Sequence, residues 1–181
     1  DTSIQPEGPG RRWTVEEAEP LMADLSGRDL ARGKAMFAAS QCLSCHTLGG
    51  EGGIIGPDLT QLGTRFSAKD ILEATINPSD EISEQYVASV LELKDGSSVM
   101  GRVVNEDETS YSVSQNPFSP DVLRKVAKSN VSTIKDSKSS IMMPGMINRL
   151  NEEELKDLMA YLISGGNASH AVYQTKAQAE E

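Results

Sequence analysis

Cys42-Leu43-Ser44-Cys45-His46 is the stretch that decides how this 181-residue sequence is interpreted. It holds both cysteines of the chain and one of its two histidines. Cysteines three positions apart on one helical turn project to the same side. The two thiols can therefore bond to one edge of a flat ring system, and the imidazole that follows can swing over its centre.

This C-x-x-C-H spacing is the attachment pattern of c-type haem. The two thiols form thioethers with the vinyl groups of the porphyrin, and the histidine binds the iron from the proximal side. We therefore expect one covalent haem c, with Cys42 and Cys45 as the attachment residues and His46 as an iron ligand. Because the linkage is covalent, the group stays bound when the iron changes oxidation state.

Three other interpretations of the cysteines are weaker. A zinc site needs four ligands, and the only other histidine is His170, near the C-terminus. A thioredoxin-like dithiol needs a βαβ context, whereas a helix is predicted before this motif. A disulfide between Cys42 and Cys45 would close a very small loop and add little stability.

The sequence after the motif contains a candidate partner for His46. Gly56-Pro57-Asp58-Leu59 begins ten residues beyond the histidine. A backbone carbonyl there, with Pro57 as the best candidate, would accept the second imidazole N–H, fix the tautomer and strengthen the nitrogen as a ligand. A plain Gly-Pro turn is the alternative.

The sixth iron ligand is expected from a methionine-rich loop, Ile141-Met142-Met143-Pro144-Gly145-Met146. Its Pro and Gly make it a poor core segment but a suitable loop for a thioether ligand. We rank Met143 first because the following proline stiffens its backbone, then Met146, then Met142. In the alternative interpretation all three only line a haem pocket. His170 is a further, weaker candidate ligand.

Three helices are predicted from apolar spacing and cap residues. The first follows Ser26 as its N-cap and leads into the motif. The second covers residues 67–77, with Ser67 as its N-cap. The third begins at Asn151, carries acidic residues in its first turn and ends at Gly165-Gly166.

Between the second and third helices the apolar period changes to two. Residues 86–134 alternate apolar and polar side chains, and Lys94-Asp95-Gly96 is a hairpin signal. We expect a small antiparallel sheet or open barrel there. The expected fold class is therefore mainly α with an inserted antiparallel β subdomain, α+β overall.

The expected organisation has five parts. They are an N-terminal arm anchored by Trp13 (1–26), a helical half with the motif (27–85), the β insert (86–134), a second helical half with the methionine loop (135–166) and a frayed tail (167–181).

The acidic residues are concentrated at the two ends of the chain. The net charge is −10, of which residues 1–26 and 151–181 each carry −4. Nucleic-acid binding needs clustered Lys and Arg, and because no such cluster occurs we expect none. No apolar stretch approaches the roughly 18 residues of a membrane span, and no signal-peptide pattern opens the sequence.

Residues 27–82 and 135–165 resemble a class I cytochrome c. The resemblance rests on CLSCH, GPDL, MMPG and the closing LNEEELKDLMAYL. The span 13–166 resembles more closely the haem-binding domain of planctomycete and verrucomicrobial proteins. The shared patterns are GRDxxRGxxxF, GPDLT, NPS, ISEQY, DGxxxxGxV and an MP segment before the final helix.

This resemblance implies a mono-haem electron carrier, often joined to a dehydrogenase-like or propeller domain. It also implies that the first helix crosses the last, with Gly33 letting the backbones approach near Phe37 and Tyr161. In such proteins a proline carbonyl bonds the proximal histidine, which here corresponds to Pro57. The β insert departs from simple cytochromes c, and its role stays open.

Three further residues are candidates for contact with the haem. Arg65 suits a propionate because its planar fork matches a carboxylate, with a plain surface arginine as the alternative. Leu59 and Phe66 are expected to wall the ring together with other apolar side chains.

The expected function is the transfer of single electrons between redox protein partners, with a fused or associated dehydrogenase among the candidates. The alternative is a haem enzyme or a gas or redox sensor in which a small molecule displaces the methionine. Edge strands of the insert invite pairing, so a homodimer is a further hypothesis. Bacteria attach haem c outside the cytoplasm, so a periplasmic or otherwise extracytoplasmic location is expected.

Overall fold

The computed structural model describes residues 3–180 of the chain. These residues form two compact units. The helical unit holds the described residues up to Asn77 and those from Pro144 onward, and the sheet unit is Pro78–Met143. Residues 1 and 2 of the predicted arm and residue 181 of the predicted tail lie outside the described residues.

The helical unit is built from short helices around one longer pair. Its α-helices are α1 (Val15–Ala18), α2 (Leu30–Ala39), α3 (Cys42–Cys45), α4 (Leu62–Arg65), α5 (Ala68–Ile76), α6 (Glu152–Ser164) and α7 (Lys176–Ala179). Two 3-10 helices, Glu19–Ala23 and Ala171–Tyr173, and a two-strand hairpin of β1 (Thr47–Leu48) and β2 (Glu51–Gly52) complete it. No helix within residues 3–180 is long and apolar enough to cross a bilayer.

The predicted starts of α5 and α6 are confirmed. Ser67 accepts a hydrogen bond from the backbone of Asp70, whose carboxylate accepts one from the backbone N–H of Ser67 in return. Asn151 and Glu154 form the same reciprocal pair at α6. Gly165 ends α6 in the left-handed conformation at φ 61°, as its position predicted.

The predicted start of α2 is wrong by three residues. Asp29, and not Ser26, is the N-cap, because its carboxylate accepts the N–H of Arg32 at 3.0 Å. The Ser26 hydroxyl instead donates to the Asp24 carboxylate at 2.7 Å. Serine and aspartate are both good N-cap residues. Because the two candidates lie only three positions apart, the sequence does not decide between them, and the tertiary fold does.

The core of the helical unit lies where α2 crosses α6. The rings of Phe37 and Tyr161 meet edge to face with centroids 5.5 Å apart. A Cβ on Gly33 would overlap the Asp157 carbonyl oxygen and lie 2.8 Å from Tyr161 Cβ. The close approach at Gly33 that the resemblance implied is thus confirmed.

The N-terminal arm is docked on the helical unit through Trp13. This side chain is only 3% exposed, and its indole N–H donates to the Leu150 carbonyl at 3.0 Å. Thr14 then caps α1 by accepting the N–H of Glu17. The predicted anchoring role of Trp13 is confirmed.

The C-terminal tail is not frayed over residues 170–174, contrary to our prediction. Gly27 and Arg28 donate their backbone N–H groups to the carbonyls of Gln174 and Val172, at 2.8 and 3.0 Å. The hydroxyls of Ser164 and Tyr173 lie 2.8 Å apart. These two backbone N–H groups of the turn before α2 are therefore satisfied by carbonyl groups of the tail.

The sheet unit holds five antiparallel strands, with a hairpin at the predicted Lys94-Asp95-Gly96 turn. The strands are β3 (Ser89–Leu93), β4 (Ser98–Glu106), β5 (Ser110–Ser114), β6 (Leu123–Ala127) and β7 (Val131–Asp136). Their order across the sheet is β6-β5-β4-β3-β7. The two edge strands follow each other in sequence through a 3-10 helix, Lys128–Asn130. The buried cluster of this unit consists of Leu91, Leu93, Val99, Val113 and Val126.

Gly33→Ala tests the helix crossing. An added methyl would collide with Asp157 and Tyr161, so we expect the free energy of unfolding to fall by about 1–3 kcal/mol, although alanine is the better helix former. Urea unfolding measures the change. The control is Ala31→Gly on the exposed face of α2, which loses only helix propensity, about 1 kcal/mol. A stabilised Gly33→Ala protein would contradict the close approach.

Candidate haem site

The two cysteines of the motif lie on a short helical turn, α3, that is separate from α2, and His46 is the extended residue that caps its C-terminal end. Gln41 adopts the left-handed conformation at φ 66°, which ends the run of α2 and starts α3. The backbone N–H of His46 then donates to the Cys42 carbonyl at 2.9 Å. Cys42 and Cys45 therefore stand at the two ends of one turn, as their spacing predicted.

The loop after the motif folds back over this turn. Gly53 donates its N–H to the Leu43 carbonyl at 2.9 Å, and Gly56 donates to the Cys45 carbonyl at 2.8 Å. The N–H of Leu59 closes the loop on the Thr47 carbonyl, also at 2.8 Å. Because backbone groups make all three bonds, the loop has a fixed register against the motif.

This register brings the imidazole of His46 to the carbonyl of Pro57. The Nδ1 atom lies 2.8 Å from the Pro57 oxygen. A carbonyl can only accept, so the neutral ring carries its proton on Nδ1 and leaves the lone pair of Nε2 free for a metal. A Cβ on Gly56 would lie 2.5 Å from His46 Cε1, so the ring packs flat against bare backbone.

The surroundings of the ring favour its neutral form. Burial lowers the pKa of His46, and the hydrogen bond to Pro57 offsets part of that effect. Only neutral imidazole can bind a metal ion. The lowered pKa therefore keeps the ligating form present over a wider range of pH.

The thiols of the motif are partly buried, and their pKa values are raised. Burial raises the pKa of Cys42 to about 12, and burial also raises the pKa of Cys45. Reactive dithiols depend on a lowered pKa, so this environment argues against the redox-dithiol interpretation.

The geometry also disfavours zinc. Within the described residues 3–180 no group of three or more His, Cys, Asp or Glu side chains could hold a metal ion. His170 is committed elsewhere, because its Nδ1 accepts the backbone N–H of Val172 at 3.2 Å.

The residues present fit a haem. Two thiols on one turn and a free Nε2 supply the donor set, and partly exposed apolar side chains lie close by in sequence. Phe66 is 47% and Ile54 83% exposed, surface that a macrocycle could cover. The hydroxyl of Ser40, two residues before Cys42, is buried and has no partner among the described residues.

The remaining candidates occupy different parts of the fold. Leu59 is half-buried against the core of the helical unit. Arg65 is exposed at the end of α4, with its guanidinium 5.6 Å from the centre of the Phe66 ring. Their contacts to a haem stay predictions.

The three methionines divide between the units. Met142 and Met143 end the sheet unit, whereas Met146 belongs to the helical unit. Met143 is 55% exposed, and the other two are half-buried. The identity of the sixth ligand stays a prediction.

A set of polar contacts that closes the loop was not predicted from the sequence. The Asp58 carboxylate accepts from both the backbone N–H and the hydroxyl of Thr60, and Thr60 Oγ1 accepts the N–H of Gly49 at 2.9 Å. An aspartate two residues before a threonine is a local turn signal. Its link to Gly49 depends on the folded loop and carries no signal in the sequence.

Two thiols on one turn and an imidazole held by the Pro57 carbonyl suit a covalently attached haem. Residues 30–110 match the model of the family described as Cytochrome c, from the start of α2 through the motif to the first residue of β5. The cofactor that this match implies is covalently attached haem c with its iron. The comparison with curated proteins gives no match.

Cys42→Ala and Cys45→Ala test the attachment. Each change removes one thioether, so we expect the pyridine haemochrome band of the matured protein to shift to longer wavelength while haem stays covalent. The double variant should lose all covalent haem, read as haem stain on a denaturing gel. Ser44→Ala, on the same turn, is the control and should match the unmodified protein. Covalent haem in the double variant would contradict the assignment.

Proposed function

We propose that this chain is a mono-haem c-type cytochrome that carries single electrons between protein partners, with the iron held between His46 and Met143. The observation that supports this most is the 2.8 Å contact of His46 Nδ1 with the Pro57 carbonyl. It gives the imidazole the tautomer and orientation that a proximal ligand needs.

The protein's part in the reaction is to hold its ligands still. The bound haem supplies the one-electron couple between ferric and ferrous iron. Pro57 keeps the proton of His46 on Nδ1 and stops the ring from rotating, which also makes Nε2 a stronger donor. A ring fixed in this way keeps the same geometry in both oxidation states, so little of the protein has to rearrange when an electron moves.

Met143 completes the proposed coordination. A methionine as the second protein ligand would raise the reduction potential and would leave no open position for a substrate, which favours a carrier over an enzyme. Pro144 fixes its own φ and restricts the backbone of Met143 before it, and the Met143 side chain is 55% exposed. Leu59 and Phe66 would wall the ring, and Arg65 would bind a propionate.

The partners we propose are redox proteins, among them a fused or associated dehydrogenase, met outside the cytoplasm. The two acidic ends would attract a basic partner surface, an effect that weakens as salt rises. We propose that residues 27–85 and 135–166 are the two halves of the cytochrome domain, with 86–134 as an insert of the kind found in the planctomycete and verrucomicrobial domain.

The sheet unit is proposed as a dimerisation module. Its edge strands β6 and β7 each expose an apolar side chain, with Leu123 46% and Ile134 45% exposed. An exposed edge with apolar residues is a template for pairing with another chain.

Met143→Ala tests the sixth ligand. We expect the far-red absorption band of a methionine–iron bond to disappear from the ferric protein. The reduction potential should fall by on the order of 0.1 V, because axial ligands tune potentials over a range of roughly 0.8 V. Met142→Ala and Met146→Ala are the matched controls and should keep the band.

Two results would contradict this proposal. If Met146→Ala alone abolishes the band, the ligand is Met146. If the unmodified protein lacks the band and its reduced form binds CO rapidly, the site is open and the function is that of a haem enzyme or sensor.

Ile134→Lys tests the dimer. We expect the unmodified protein to show a dimer whose population rises with concentration in sedimentation velocity, and the lysine to abolish it through charge on the edge strand. Lys138→Ala, an exposed change just beyond β7, should leave the dimer intact. A monomer at all concentrations for the unmodified protein would contradict this role.

A further inference from the structure

The N-terminal arm forms several hydrogen bonds with one short segment of the helical unit. This segment, residues 145–151, joins the methionine loop to α6. The indole of Trp13 donates to the Leu150 carbonyl, and the Asn151 side-chain amide donates to the Gly8 carbonyl at 2.9 Å. The two partners are more than 130 residues apart in sequence.

Asn148 is the centre of this contact. Its backbone carbonyl accepts the N–H of Arg11 at 2.9 Å, and its side-chain oxygen accepts the N–H of Trp13 at 3.2 Å. Its own N–H donates to the Gly145 carbonyl at 3.1 Å. The arm is therefore connected through one residue to Gly145, two positions after Met143.

The arm is itself held in shape. The guanidinium of Arg11 lies 4.7 Å from the centre of the Trp13 ring and forms an ion pair with Glu17 at 2.6 Å. At the other end the Glu154 carboxylate, 1% exposed in the first turn of α6, accepts the N–H of Glu7. A segment fixed at both ends can transmit a constraint to what it touches.

Gly10 shows how close the arm lies. A Cβ at this position would overlap the Asn148 carbonyl oxygen and lie 2.8 Å from the Cα atom of Arg149. The φ angle of Gly10 is not in the left-handed region. An alanine there would therefore be disfavoured by its overlap with Asn148 and not by backbone strain. Adding one methyl group there would lift the arm without altering any proposed haem contact.

We propose that the arm, residues 5–13, is a strap that positions the methionine loop for iron ligation. This rests on the proposed function, because it takes a methionine of that loop as the sixth ligand. Arg11 and Trp13 fix Asn148, Asn148 fixes the turn at Gly145, and this turn sets where the preceding methionine can reach. When the strap is lifted, the loop samples more positions and the methionine is displaced more easily.

Gly10→Ala and Trp13→Phe test the strap in the haem-loaded, full-length protein. Trp13→Phe keeps an aromatic ring but removes the N–H that reaches Leu150. We expect a weaker far-red band in both variants. The affinity of the ferric form for imidazole should rise about tenfold, the change expected from losing one or two hydrogen bonds of ordinary strength. The control, Arg12→Ala, changes an exposed residue of the same arm and should leave both readouts unchanged.

The outcomes separate this inference from the proposed function. If the unmodified protein shows the far-red band, but both variants keep its full intensity and bind imidazole as the unmodified protein does while unfolding at lower temperature, the arm only stabilises the fold. The strap is then refuted and the proposed ligation stands. If the unmodified protein has no such band, methionine ligation fails and the strap fails with it.

Discussion

The contact between the His46 imidazole and the Pro57 carbonyl depends on a series of backbone contacts that extends across the helical unit. The loop that carries Pro57 is tied to the motif by backbone hydrogen bonds at Gly53, Gly56 and Leu59. Its far end is set against α6, because the Thr60 carbonyl lies so close to Gly165 that a side chain there would overlap it. The orientation of the His46 ring therefore depends on where α6 ends.

Helix α6 is the element on which the two ends of the described chain meet. Its buried Glu154 takes hydrogen bonds from its own N-cap and from the arm, which suits a carboxylate at a helix N-terminus. One turn later Asp157 accepts the N–H of Asp29 and faces the guanidinium groups of Arg28 and Arg32, while burial raises its pKa. The C-terminal tail then contacts Ser164 at the end of this helix. These polar contacts join α6 to distant parts of the chain, and the apolar crossing with α2 holds it in place.

The sequence predicted what is decided within a few residues. The predicted helix caps at Ser67, Asn151 and Gly165 were correct because a cap depends on neighbours three or four positions away. The strands were correct because alternation is also local. Ser26 was wrong because Asp29 competes with it over the same short distance. The docking of the tail on Gly27 and of the arm on Asn148 could not be seen, since each is a contact between residues more than 130 positions apart. For the site, the motif and Pro57 could be found by spacing, but the left-handed turn at Gln41 could not, because glutamine carries no signal for it.

The high pKa of the Cys42 thiol has a consequence for how the protein matures. A protonated and buried sulfur is a poor nucleophile, so the folded chain with free thiols would react slowly with a vinyl group and equally slowly with an oxidant. The same packing that later shields the thioether would therefore resist its formation. An open turn would expose the Cys42 sulfur and bring its pKa back toward the ordinary value of a thiol, so this sulfur would react more readily before the chain packs around it.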